Sequence, residues 1–90
     1  MFRFKRSIPV AYDQQGYIYF TSRRYKELSK EEQEKIRQLC GTAGGEHQEA
    51  LFEFVTTDAS AAMICAKYFI SESTLERAVR RYYIAFKKDL

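Results

Sequence analysis

Apolar residues recur at helical spacing through the second half of the chain, whereas the first twenty residues follow no such period. From Ser60 to Arg81 the sequence reads SAAMICAKYFISESTLERAVRR. Ile64, Cys65 and Tyr68 mark one stripe, and Leu75, Ala78, Val79 and Tyr82 mark a second; residues three and four apart share a helix face. This pattern predicts a short helix over about Ala61 to Tyr68, a tight turn at Phe69-Ile70, and a second helix opening at Ser71. The Ser71 hydroxyl suits the unpaired amides of a first helical turn. Upstream, Ala50, Leu51, Phe54 and Val55 follow the i, i+1, i+4, i+5 spacing of a helix over about Glu46 to Thr56,. Asp58 or Ser60 then caps the next helix. Ser29, three residues before Glu32, forms a capping box. It starts a helix over about Lys30 to Cys40, with Ile36, Leu39 and Cys40 on one stripe. The run Gly41-Thr42-Ala43-Gly44-Gly45 breaks that helix, and Ser22 caps a short one through Tyr25 and Leu28.

Two β-prone runs, Ile8 to Tyr12 and Tyr17 to Thr21, flank Asp13-Gln14-Gln15-Gly16. They predict a β-hairpin, with Gly16 available for positive φ in the turn. Pro9 cannot donate to a ladder and belongs at an edge or a strand start. A lone hairpin is marginal in water, so some of Val10, Tyr12, Ile18 and Phe20 must pack on helices. The expected fold is α+β and mainly helical: an N-terminal β-hairpin packed on four or five helices, the last three forming a helix-turn-helix unit. Ninety residues build one modest core,. The expected organisation is a single domain, residues 1–90, with a hairpin arm (1–21), a helical segment (22–45) and the helix-turn-helix unit (46–90).

A composition 46% hydrophobic and 16% aromatic argues for a folded chain,. No apolar run approaches the roughly 20 residues of a membrane span. The start, MFRFKRSIPV, is basic but lacks the apolar stretch of a signal peptide,. With Cys40 and Cys65 read as reduced, buried thiols, the expected location is cytoplasmic. His47, the one histidine, reads as a surface helix residue, and with Cys40 it lacks the paired spacing of a zinc site,. The glycines at 41–45 follow a helix and have no P-loop Lys-Ser/Thr. Neither a metal nor a cofactor is expected. Tyr82 and Tyr83 beside Arg80 and Arg81 suggest a tyrosine recombinase, but that catalytic domain needs more chain and further Arg and His groups. Tyr82 is in register with Leu75, Ala78, Val79 and Phe86, as a core residue would be, and no enzyme is expected.

Net charge is +3, and its distribution says more than its size. Residues 1–30 hold seven Lys/Arg against Asp13 and Glu27. Residues 31–58 hold Lys35 and Arg37 against seven carboxylates, and residues 59–90 hold six Lys/Arg against three. Basic ends around an acidic middle would orient a protein on a polyanion; the alternative is that these are solvated helix faces, and for the acidic middle that is the preferred reading.

The segment around Ile64-Cys65, Ile70-Ser71-Glu72-Ser73-Thr74-Leu75 and Ala78-Val79 resembles the helix-turn-helix superfamily, including small bacterial regulators and the C-terminal region of sigma factors. Ile64-Cys65 stands at that family's aliphatic–Ala pair, and Ala78-Val79 at its small–aliphatic pair. The resemblance covers about half the chain. It departs at Cys65, which replaces Ala, and at Phe69, where the family prefers Gly. A bulky residue with positive φ is strained, so either the turn differs or burial of the ring offsets the strain. The whole chain also looks like small accessory proteins of Gram-positive conjugative transposons. The resemblance implies double-stranded DNA as partner. The second helix would lie in the major groove, presenting Ser71, Glu72, Ser73, Glu76, Arg77, Arg80 and Arg81. The hairpin would be a wing touching the backbone through Arg3, Lys5 and Arg6. The competing reading is a protein-interaction module or homodimer that uses the frame only for packing. Tyr12, Tyr17, Tyr19, Tyr25, Tyr68, Tyr82 and Tyr83 would then partly line an interface.

Overall fold

Gln15, Ile18 and Ser22 lie three and four residues apart, and all three are buried. That is a helical period with polar residues at two of its three inward positions. A computed structural model, described over residues 2–89, accordingly places a helix where the hairpin was expected. The helices are α1 (Tyr12–Arg23), α2 (Lys30–Gly44), α3 (Gln48–Thr56), α4 (Ala61–Tyr68) and α5 (Glu72–Lys88). Single 3-10 turns precede α2 and α3, at Tyr25–Glu27 and Gly45–His47. Among the described residues there is no strand, so the α+β expectation and the hairpin arm are overturned.

The reason is physical. Tyr, Ile, Phe and Thr between residues 17 and 21 carry β propensity, but propensity yields to tertiary context. Here the context is a set of bonds only a helical Gln15 makes. Its Nε2 donates its two protons to the carbonyls of Lys5 (2.9 Å) and Val10 (3.0 Å), with the Ile8 carbonyl sharing one of them at 3.3 Å,. Its Oε1 accepts from the Lys5 amide at 3.0 Å. One side chain thus ties down an irregular arm, residues 2–10, and pairs its Lys5 amide and Val10 carbonyl, which have no backbone partner among the described residues,. Ile8 and Val10 enter the core, while Tyr12 and Phe20 face outward. Gly16 is no turn residue: the Phe2 ring lies 3.6 Å from where its Cβ would stand.

Ser22 is likewise no cap. Its Oγ donates to the Ile18 carbonyl at 2.7 Å, and the Tyr82 hydroxyl lies 2.6 Å away. A serine has one hydroxyl proton, so Tyr82 donates to Ser22. Burial pushes the Tyr82 phenol up, which keeps that proton in place.

The helix from Ser29 forms with its capping box, Ser29 Oγ accepting from the Glu32 amide and Glu32 Oε1 from the Ser29 amide. That bonding holds the Glu32 carboxyl below its usual range. The helix does not stop at Cys40; it runs through Gly41 to Gly44. A Cβ at Gly44 would meet Leu51 at 3.3 Å, so the glycine lets α2 approach α3 closely. The break falls at Gly45, which has φ +55, a conformation that suits glycine at a helix end. The helix expected from Glu46 becomes regular only at Gln48.

One core joins arm and helices, from Ile8 to Phe86. Helix α5 crosses it, packing on α2, α3, α4 and α1. It buries Leu75, Ala78, Val79, Tyr82, Tyr83 and Phe86 on one stripe. Cys40 is buried and its thiol pushed up to about 12 by burial, while Cys65 is only half-buried. No helix of the described residues is long and apolar enough to cross a membrane.

Candidate nucleic-acid interface

Three local devices set the geometry of α4 and α5. Ser60, and not Asp58, caps α4 by accepting from the Met63 amide at 3.2 Å. Phe69 ends α4 with φ +56 and ψ +46, and the Ile70 amide reaches back to the Cys65 carbonyl at 3.1 Å. This six-to-one bond is a familiar left-handed helix stop. Ser71 caps α5, accepting from the Thr74 amide at 3.1 Å. The result is an eight-residue helix, a three-residue turn and a seventeen-residue helix. Ile64 (1% exposed) and Leu75 (2%) plug the corner between them.

The turn has the expected left-handed residue, but the expected compensation is absent. Phe69 is 93% exposed, so no burial of the ring offsets the backbone strain.

The residues expected to meet DNA divide into groups. Ser73, Arg77 and Arg80 lie four and three residues apart along α5, so they share its outward face, together with Lys87, for which no DNA contact was expected, and all four are exposed. Arg77 and Arg80 make no ion pair or hydrogen bond among the described residues. The Ser71 hydroxyl is occupied by its cap and by Thr74 Oγ1 at 2.8 Å, and Ser73 Oγ lies 3.2 Å from it. Glu72 and Glu76 are exposed, and Glu72 lies in the first turn of α5, where a carboxylate suits the macrodipole. Arg81 is engaged elsewhere: its Nε donates to the Ala43 carbonyl at 2.7 Å, tying α5 to the end of α2.

Arg3, Lys5 and Arg6 lie on no wing, because the hairpin that would have formed one is helix α1. Arg3 and Lys5 instead line a cleft of about 560 Å³ between the arm, α1, the α3–α4 connection and α5. Arg6 is exposed. Sequence reasoning missed this cleft, since its walls meet only after residues 12–23 are read as a helix. Tyr19 and Arg23 are then one turn apart, with Arg23 Nη1 donating to the Tyr19 hydroxyl at 2.8 Å.

Of the other candidates for chemistry, His47 sits partly exposed in the 3-10 turn, 3.5 Å from Glu46. No group of three or more His, Cys, Asp or Glu among the described residues is arranged to hold a metal ion.

Compared with known proteins, the chain matches no family model, no curated protein and no solved structure.

Proposed function

We propose that the chain is a double-stranded-DNA-binding protein, a small regulator or mobile-element accessory factor, that reads the major groove with α5. One observation carries this reading: α4, its three-residue turn and α5 leave Arg77 and Arg80 exposed on the outward face of the longer helix, paired with no carboxylate among the described residues. Two crossing helices joined by a three- or four-residue turn are the frame of a DNA-binding helix-turn-helix. Guanine edges and phosphates are what free guanidinium groups recognise. In this reading Arg77 and Arg80 contact bases or phosphates, and Lys87 and Lys88 follow the backbone. Ser71 and Arg81 hold the unit together. Phosphate neutralisation supplies most of the affinity.

The test is titration of the whole chain with duplex fragments at several salt concentrations. Affinity should fall linearly on a log–log plot, and removing one phosphate contact should lower the slope by about 1. The double variant Arg77→Ala/Arg80→Ala should fold normally and lose about 1–3 kcal/mol of binding for each specific base contact removed. Undiminished binding by the folded double variant would sink the assignment of α5.

A second reading rests on a different surface. Phe4, Tyr12, Tyr17 and Phe20 are 42–66% exposed on the arm and α1, and exposed aromatic clusters favour protein contacts. Sedimentation showing a dimer that Tyr12→Ser and Phe20→Ser abolish, with no DNA binding at low salt, would put this reading first.

A further inference from the structure

Every large apolar side chain left exposed on the arm and α1 is aromatic: Phe4 (42%), Tyr12 (66%), Tyr17 (54%) and Phe20 (55%). Phe2 seats them. Its ring lies against Gly16, with Tyr12 and Tyr19 each at 5.6 Å and Phe20 at 6.1 Å between ring centroids. Phe4 reaches Tyr12 at 5.7 Å. These pairs are tilted or edge-on, none of them face to face, so the rings are fixed in place without stacking their flat faces on one another. Tyr17 continues the row around α1, edge-on to Phe86 at 6.4 Å. From Tyr12 to Phe20 the helix runs about 12 Å, the length of about three or four stacked bases.

Charge selects what covers this face. Arg3, Lys5 and Arg6 are exposed on the arm, interleaved with Phe2 and Phe4, and make no ion pair among the described residues. Asp13 is the only carboxylate in residues 1–26. A second copy seated about a two-fold axis would bring two such sets of cations together, where like charges repel. A lipid surface suits the cations, but an interfacial helix sinks an apolar face, and Asp13 stands one and two turns from Tyr17 and Phe20 on this one. A nucleic-acid strand meets both features: phosphates pair with the cations and unpaired bases stack on the rings, where Asp13 accepts from base N–H groups. A duplex hides those base faces. The Phe rings offer nothing to the 2′-hydroxyl that marks RNA, whereas the thymine methyl suits an apolar ring.

We propose that the face formed by the arm and α1 holds single-stranded DNA, with unpaired bases stacked on Phe4, Tyr12 and Phe20 and the phosphates following Arg3, Lys5 and Arg6. No residue on the outward face of α5 takes part, so strand binding here stands whether or not α5 reads a duplex.

The probe is an oligothymidylate of about twelve nucleotides, titrated into the full chain at physiological salt. Binding is read from tyrosine fluorescence, which stacking quenches and which no tryptophan masks. The expected dissociation constant is about 1–100 μM. Tyr12→Leu/Phe20→Leu keeps apolar bulk and helix propensity while removing two flat faces, so it should fold and bind about tenfold or more weakly. Phe20→Trp, with a larger flat ring, should bind at least as well as the parent. Arg3→Gln/Lys5→Gln should lower the slope of log affinity against log salt by about 0.7 per charge. Arg77→Ala/Arg80→Ala should leave strand binding unchanged. On that α5 variant, an oligouridylate and a duplex of the same length should each bind about fivefold or more weakly than the thymidylate. No quenching up to about 1 mM strand, full binding by the leucine variant, or equal binding of the RNA or the duplex would each overturn the proposal. So would a free chain that sediments as a dimer until Phe20→Ser disperses it, or one that binds phosphatidylserine vesicles and not the strand.

Discussion

Helix α1 with its arm and the α4–α5 unit are held by different physics. The first depends on buried polar groups: Gln15 is 1% exposed and meets four backbone groups of the arm, and Ser22, also 1% exposed, joins Tyr82. The second depends on an apolar seam and local caps, with Ile64, Leu75, Ala78 and Val79 inside and Ser60 and Ser71 at the helix starts. A buried hydrogen bond adds only about 1 kcal/mol net, but leaving its partners unpaired costs more. The first region therefore tolerates almost no change at its few polar contacts. The second concentrates its tolerance on an outward face that carries charge without destabilising the fold.

The largest expected effect breaks the first region at its centre. Gln15→Leu keeps the size and apolar character of a core side chain but leaves the Lys5 amide and the Val10 carbonyl without partners, and the Lys5 and Ile8 carbonyls with only their bonds from the Ile8 and Val10 amides. Some regain water as the arm loosens, so the loss in urea-unfolding stability should be about 2–4 kcal/mol. Arm amides should also lose hydrogen-exchange protection. On α5, Arg77→Ala should move stability by less than about 0.5 kcal/mol, a difference several-fold in size between two polar side chains. A Gln15→Leu variant as stable as the parent would erase the contrast.

That contrast also explains what the sequence made readable. Ser29 and Ser71 were legible as caps, and Ser60 as one of two candidates beside Asp58, because capping is decided within four residues. The stripe through Leu75, Ala78, Val79 and Tyr82 was legible because it is purely apolar. Helix α1 was not, because its inward positions hold Gln15 and Ser22, whose burial depends on Lys5 and Tyr82, up to 60 residues away. Gly41 and Gly44 resembled a break because their use, close passage of α3, lies in a different helix. Arg77 and Arg80 could be placed outward from periodicity alone. The engagement of Arg81 by Ala43 depends on a contact that no local spacing encodes.

A smaller effect sharpens the comparison within the second region, at its one strained residue. Phe69 holds positive φ without a glycine's freedom and without burial to offset the strain. Left-handed backbone costs a non-glycine residue about 1 kcal/mol. Phe69→Gly should therefore stabilise the chain by about 0.5–1 kcal/mol, visible as a higher urea midpoint. Phe69→Ala keeps the strain and loses no packing, so it should be nearly neutral. A substantial loss in both variants would mean that the ring packs in the folded protein.

The smallest effect is a matter of pH, and it lies where α3 meets α4. Glu53 Oε1 accepts from Lys67 Nζ and from the Tyr68 hydroxyl, each at 2.7 Å. The Lys67 bond first, and then the Tyr68 bond, hold the Glu53 carboxyl below the usual carboxylate range. A carboxyl with a depressed folded pKa contributes stability above its unfolded value, about 4.3, and loses it as pH falls through the folded one. Lys67 and Tyr68 are both raised, chiefly by their bonds to Glu53. Their contribution is present below the ordinary lysine and tyrosine values and fades as pH climbs through the raised ones. Glu53→Gln removes the charge while keeping an oxygen that can accept from Tyr68. It should flatten both the acid and alkaline limbs of the urea midpoint against pH, with little change in the Gln15 dependence of the arm. Exposed ion pairs contribute little and are screened by salt, so the flattening should shrink further at high ionic strength. An acid limb equally steep with and without the Glu53 carboxylate would place the acid sensitivity in other carboxylates, with Glu32 of the α2 capping box the first to replace.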